Sequence, residues 1–188
     1  MNDEQRLIQD SVRGNSAAFG ELVRRYQDRL YNAVVHIVGC RVEAEDVVQD
    51  AFVQAFVKLS TFKHDSKFYT WLYRIAFNVS ISRRRRHRTE LSVEFSRETT
   101  GDEPVDDEVS PSASLEQEEQ RFQLQQAMEL LSEEHRAIIV LRHIEEFSYE
   151  EIADVLDIAV GTVRSRLHRA RAQLLEHLRR FMPDEAAS

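Results

Sequence analysis

At 188 residues the chain has room for one ordinary domain or for two small ones joined by a linker. A composition of 42 % hydrophobic and 31 % charged residues, with only five glycines and three prolines, excludes wholesale disorder and lacks the breakers that all-β folds need at every turn. The net charge of −8 argues at first against nucleic acid, but residues 89–120 alone carry eleven Asp or Glu against one Arg, and the remainder has a balance of about +2 with its bases clustered.

The first twenty residues are polar and contain no apolar run of the secretory type. Nowhere does the chain approach the roughly 18–20 consecutive apolar residues that span a bilayer, so neither secretion nor membrane insertion is expected. Asn15 and Ser16 are cap residues for a helix running to about Val38, with Phe19, Leu22, Tyr26, Leu30, Ala33, Val34 and Ile37 on one stripe and Gly39 as its terminator. Cys40 is the only cysteine; a lone thiol makes no internal disulfide and no cysteine-rich zinc site, which points to a reducing cytoplasm.

A second helix is expected over 42–59, burying Ala44, Val47, Val48, Ala51, Phe52, Ala55, Phe56 and Leu59. Its opposite face carries Glu45, Asp46, Gln49 and Asp50, and on spacing alone a solvated face explains them. A third helix begins near Ser66 and runs through Phe68, Leu72, Ile75 and Val79 into the basic tract 83–88. Tyr69, Tyr73 and Phe77 recur every four residues along it. Such a stripe reads either as core or, next to a cationic tract, as a platform for unpaired bases.

Residues 88–114 combine like charge with Pro, Gly and Ser and show little apolar periodicity. They read as a flexible acidic linker, or alternatively as a long surface loop. Four helices follow: 115–131; a second capped by Ser132; a short third over 148–156, opened by a Ser148–Glu151 capping box; and a fourth over about 161–181. The third and fourth, joined across Asp157, Ile158 and Ala159, have the parts of a helix-turn-helix. Its core would be Ile152, Ala153, Leu156, Ile158, Val163 and Leu167. Arg164, Ser165, His168 and Arg169 then share an outward face able to read bases in a major groove, while Arg166, Arg171 and Arg179 are left for phosphates or solvent. No phosphate-binding glycine loop, metal-ligand spacing or nucleophile motif is recognisable, so neither an enzyme nor a cofactor is expected.

Residues 44–52, Ala-Glu-Asp-Val-Val-Gln-Asp-Ala-Phe, and 68–78, Phe-Tyr-Thr-Trp-Leu-Tyr-Arg-Ile-Ala-Phe-Asn, resemble region 2 of the sigma-70 family. Residues 148–156, Ser-Tyr-Glu-Glu-Ile-Ala-Asp-Val-Leu, and 160–171, Val-Gly-Thr-Val-Arg-Ser-Arg-Leu-His-Arg-Ala-Arg, are similar to its region 4. With regions 1.1 and 3 missing, the whole resembles the extracytoplasmic-function (group IV) class. The resemblance implies an all-α protein of two small helical domains, region 2 over 1–88 and region 4 over 115–182, joined by the flexible acidic linker 89–114.

It further implies a bacterial initiation factor that directs promoter recognition and DNA melting. Core RNA polymerase would be its partner, through the β′ clamp helices and β flap, together with promoter DNA and an anti-sigma factor. By the same resemblance Glu45, Asp46, Gln49 and Asp50 would dock on the clamp helices. Phe62, Tyr69, Trp71, Tyr73 and Asn78, with the loop 60–67, would hold the minus-ten element, and Arg164, Ser165, His168 and Arg169 would read the minus-thirty-five element. Trp71 reads equally as core packing or as a wedge against opened duplex. Two departures stand out: Asp157 occupies a turn position where glycine is frequent, and the linker is acidic enough to be repelled by DNA. Such a linker would follow a basic path through the polymerase or shield the basic helices. The rivals are an ordinary helix-turn-helix regulator whose N-terminal half is a dimerisation or ligand domain and, more distantly, a nucleic-acid-processing enzyme using the acidic residues around Asp46 and Asp50 to hold a metal.

Overall fold

The computed structural model describes residues 3–93 and 115–181, and side chains for 3–86 and 119–181. The described residues are helical and contain no strand. They fall into two compact units, one built on the first four helices and the other on the last four, apart from the end of the seventh.

The first unit starts with α1 (Asp3–Val12), a helix that the sequence patterning does not announce. Ten residues are too few for a stable isolated helix, so α1 depends on packing. Ile8 and Ser11 are its buried residues, and the Ser11 hydroxyl donates back to Leu7 O at 2.6 Å. Asp3 binds Arg25 at 2.7 Å, and Tyr26 donates its hydroxyl to Glu4, so both ties run to α2. Burial and the Glu4 hydrogen bond push the Tyr26 phenol up to about 12, which keeps it a donor.

Helix α2 (Ser16–Val38) has the expected ends. Asn15 Oδ1 accepts from the amides of Ala17 and Ala18, and Gly39 closes the helix at φ 77°, a left-handed conformation that glycine adopts without cost. Leu22, Leu30 and Ala33 are fully buried; each Leu contributes about 1.5–3 kcal/mol of apolar transfer. Helix α3 (Arg41–Lys58) packs against α2 and against α4 (Phe68–Val93), and a tight 3₁₀ turn, Leu59–Thr61, follows it. Phe56, expected inside, is 47 % exposed, although its ring lies 5.0 Å from that of Phe19. Helix α4 runs five residues past the expected boundary at 88. The expected linker is therefore helical over 89–93, and 94–114 lies outside the described residues.

In the second unit α5 (Leu115–Glu129) leads through Ser132, whose hydroxyl caps α6 (Glu133–Ile139), into a five-residue π turn, Val140–Ile144. The buried Arg136 guanidinium donates to Met128 O, Glu129 O and Leu131 O at 3.0, 2.8 and 3.4 Å. It thereby shares Met128 O with the Leu131 amide and reaches the carbonyls of Glu129 and Leu131, at and just past the end of α5. Helix α7 (Tyr149–Leu156) opens on the complete capping box: Ser148 Oγ accepts from Glu151 N at 3.1 Å, and Ser148 N donates to Glu151 at 2.9 Å. Asp157 takes the left-handed conformation at φ 53°, as the turn requires, before α8 (Val160–Phe181). Both α5 and α6 pack on α8.

Candidate functional site

Helix α8 is set by its inward seam. Val163, Leu167 and Ala170 are buried at spacings of four and three, so Arg164, Ser165, His168 and Arg169 emerge on the exposed side. Ile152 is buried as well, whereas Ala153, Leu156 and Ile158 are only half-buried. At the start of α8 the amides of Thr162 and Val163 both reach Ala159 O, which ties the helix to its turn. The Ser165 hydroxyl donates to Thr162 O at 3.1 Å and keeps an acceptor outward. The Arg164 guanidinium lies 5.9 Å from the Tyr149 ring, and Arg142 lies 5.6 Å from the same ring. A face of two guanidiniums, an imidazole and a hydroxyl is chemically able to donate to base edges and phosphates.

Two arginines expected at phosphates or solvent have partners within the unit, Arg166 half-buried and Arg171 still exposed. Arg166, with a side chain only 22 % exposed, pairs with Glu134 at 3.1 Å. Arg171 donates its Nε to His143 Nε2 at 3.1 Å. That bond needs a neutral imidazole. Partial burial, together with the Arg171 and Arg142 charges, holds His143 below its ordinary value of 6.5. Arg179 is exposed, as expected.

In the first unit, Glu45, Asp46 and Gln49 are exposed on the outer face of α3, and Asp50 is half-buried at its edge. The same face exposes Val42, Val53 and Val57, at 71, 59 and 73 %. Helix α3 is thus apolar on both sides, with acids between outward valines, and the periodicity of its buried side alone hid this. Arg83, from α4, reaches the acids: its Nε and Nη2 donate to Asp50 Oδ2 at 3.0 and 2.7 Å, and its Nη1 to Asp46 Oδ2 at 2.8 Å. The bonds to Asp50 and then Asp46 raise the guanidinium above its already high value, so it remains charged. Arg84 Nη2 donates to Val38 O at 3.2 Å.

The aromatic stripe needs correction. Tyr69 and Tyr73 are buried, at 5 and 0 % exposure, and offer no ring to a base here. The physical reason is that α4 packs against both α2 and α3, so it buries a wider arc than one stripe. Tyr69 stacks on Tyr26 at 5.5 Å and lies under the Arg29 guanidinium at 4.1 Å. Phe77 is half-buried.

Phe62 is also buried, at 9 %, and folds the 60–67 loop onto α4 through Phe68 at 5.8 Å and Trp71 at 5.2 Å. Trp71 is half-buried, in contact with the aromatic cluster on one side and open on the other. Asn78 is exposed, and so is Arg74, four residues earlier on the same face. Beside the loop, a cleft of about 250 Å³ is lined by Ile8 and Val12 of α1, by Arg13 just after it, and by Ser60, Phe62 and His64. Among the described residues no group of three or more His, Cys, Asp or Glu could hold a metal ion, and no helix is long and apolar enough to cross a membrane.

Comparison with known proteins places both units. Residues 22–90 match the family described as Sigma-70 region 2, and residues 121–174 match Sigma-70, region 4. The chain is 39 % identical over 173 residues to the RNA polymerase sigma-H factor of Pseudomonas aeruginosa, an alignment covering 89 % of this chain and 90 % of that one. It is 36 % identical over 182 residues to the ECF RNA polymerase sigma factor SigW of Bacillus subtilis, covering 93 and 96 %. Among solved structures it resembles the sigma factor RpoE of Bartonella quintana in complex with the anti-sigma factor NepR, with a TM-score of 0.72 at 28 % identity, covering 86 and 96 %.

Proposed function

This chain belongs to the sigma-70 family, in its extracytoplasmic-function class of RNA polymerase sigma factors, and we propose that it gives core polymerase its promoter specificity by dividing the work between its two units. Its family acts in transcription and not as catalysts; we read the chain likewise as a non-enzyme without a cofactor, working in the cytoplasm.

In this reading the outer face of α3, with Glu45, Asp46, Gln49 and Asp50, docks on basic groups of the β′ clamp helices, and the exposed Val42, Val53 and Val57 add apolar contact. Arg164, Ser165, His168 and Arg169 on α8 read the minus-thirty-five element as duplex, while the second unit meets the β flap. The open side of Trp71, with Arg74, Asn78 and the 60–67 loop, holds the minus-ten element. An unstacked base there is retained by contacts worth about 1–3 kcal/mol, which partly offsets the cost of opening the pairs. The cleft between α1 and the loop supports this assignment, because it offers a phenyl edge and a guanidinium together. Tyr69, Tyr73 and Phe62 then serve as the aromatic floor that holds the loop, and not as stacking platforms. An anti-sigma protein, of the kind bound to the Bartonella relative, would hold the factor inactive by covering one or both faces.

The observation that carries the reading is the α8 face: four base-competent side chains on the exposed side of a helix whose inward seam, turn and preceding capped helix are all formed. The test is transcription from a library of promoter fragments by bacterial core polymerase with and without the purified chain. Initiation at specific promoters that requires the chain, and that is lost in both Arg164→Ala/Arg169→Ala and Asp46→Ala/Asp50→Ala, is the expected result. Tight duplex binding by the chain alone, with no polymerase association, would make it a simple helix-turn-helix regulator.

A further inference from the structure

The arginine tract at 83–86 invites the assumption that all its members face DNA phosphates. Arg83 does not. Its three bonds to Asp46 and Asp50 commit the guanidinium to the acidic face of α3, one helix away. The side chains of Arg83, Asp46 and Asp50 are 32, 54 and 49 % exposed, and ion pairs this open to water add little to stability.

What the arrangement does is geometric. Asp46 and Asp50 are four residues apart on α3, where two like charges repel and hold one another's side chains apart. The planar fork between them cancels that repulsion and fixes both rotamers. All three bonds use the Oδ2 atoms, so each carboxylate keeps its Oδ1 for a further donor. The face therefore offers two oriented acceptors at a fixed separation, flanked by the exposed Val42 and Val53.

We propose that Arg83 is a positioning residue for polymerase docking, which presets Asp46 and Asp50 to receive cationic donors of the polymerase, and not a ligand of the DNA backbone. The inference rests on the reading that the outer face of α3 docks on polymerase. Side chains held in their bound rotamers lose less freedom on association, which for two carboxylates is worth roughly tenfold in affinity.

The experiment measures binding of the full-length chain to core polymerase for Arg83→Gln and Arg83→Lys, alone and combined with Asp46→Ala/Asp50→Ala, alongside the salt dependence of promoter binding by each holoenzyme and a thermal melt of each variant. Arg83→Gln should weaken polymerase binding roughly tenfold even though it makes the face more negative, with the melt little changed. Arg83→Lys, which keeps the charge but not the fork, should fall between. In the Asp46→Ala/Asp50→Ala background Arg83→Gln should cost nothing more, and the salt slope should stay at its parent value.

Polymerase affinity unchanged or improved in Arg83→Gln overturns the inference. So does a salt slope reduced by about one with affinity for polymerase intact, which would assign Arg83 to a phosphate. If Asp46→Ala/Asp50→Ala itself binds polymerase like the parent, the docking reading of α3 fails first, and this inference falls with it.

Discussion

Replacing Arg136 should cost the second unit more stability than any change on its exposed faces. The side chain is 7 % exposed, and its guanidinium serves three carbonyls at and just past the end of α5 from a position on α6. A hydrogen bond to a charged group contributes about 1.5–3 kcal/mol net. Two of the bonds, at 3.0 and 2.8 Å, are well formed, and the third, at 3.4 Å, is long. Their sum, reduced because water can reach part of the freed helix end, puts Arg136→Ala at roughly 3 kcal/mol of destabilisation. In a unit of this size that lowers Tm by more than about 10 °C, at about 4–8 °C per kcal/mol. Arg136→Lys should recover only part of the loss, because one ammonium cannot reproduce the fork.

The assay is thermal unfolding of the full chain with amide hydrogen exchange resolved by segment. Protection should fall over α6 and over α8, on which α6 packs, while α2, α3 and α4 keep theirs. Binding to a minus-thirty-five duplex should weaken with it. A variant within about 0.5 kcal/mol of the parent would mean that the carbonyls find water as easily as the guanidinium, and the reasoning would be wrong.

Two further outcomes are expected. Asp157→Gly should leave duplex binding intact and raise stability by a few tenths to about 1 kcal/mol, since glycine takes the left-handed turn freely, whereas Asp157→Val should lose about 1–2 kcal/mol; denaturant melts of the two variants check this, and a stable Val variant would contradict it. His143, held below 6.5 by partial burial and then by Arg171 and Arg142, takes up a proton more readily in the unfolded chain than in the folded one. Its contribution is thus fully present above 6.5 and declines as the pH falls through 6.5 towards the lowered folded value. His143→Gln should flatten that part of the stability profile as the pH falls through 6.5, and a profile identical to the parent's would remove His143 from the account.

Much of the fold was legible because its signals are local. Asn15 and Gly39 mark both ends of α2, the Ser148–Glu151 box marks α7, and Asp157 turns where it was expected to turn. The α8 face was legible for the same reason: once Val163 and Leu167 point inward, helical geometry leaves Arg164, Ser165, His168 and Arg169 outside. The minus-ten candidates were read less well. Whether Tyr69 and Tyr73 face water depends on how many neighbours α4 has, and periodicity within one helix does not count neighbours. Helix α1 escaped for a related reason, since its stability comes from Ile8 and from ties to Arg25 and Tyr26 more than from its own ten residues.

By itself, then, the sequence determined the features that short-range chemistry sets: helix ends, inward stripes, the helix-turn-helix and the family motifs. Only the tertiary structure decided which charges meet. Arg83 lies 33 residues from Asp50, Arg166 lies 32 from Glu134 and Arg171 lies 28 from His143, so each pairing depends on how helices cross and not on spacing along one of them. It is this crossing that commits Arg83, Arg166 and Arg171 to partners within their own units.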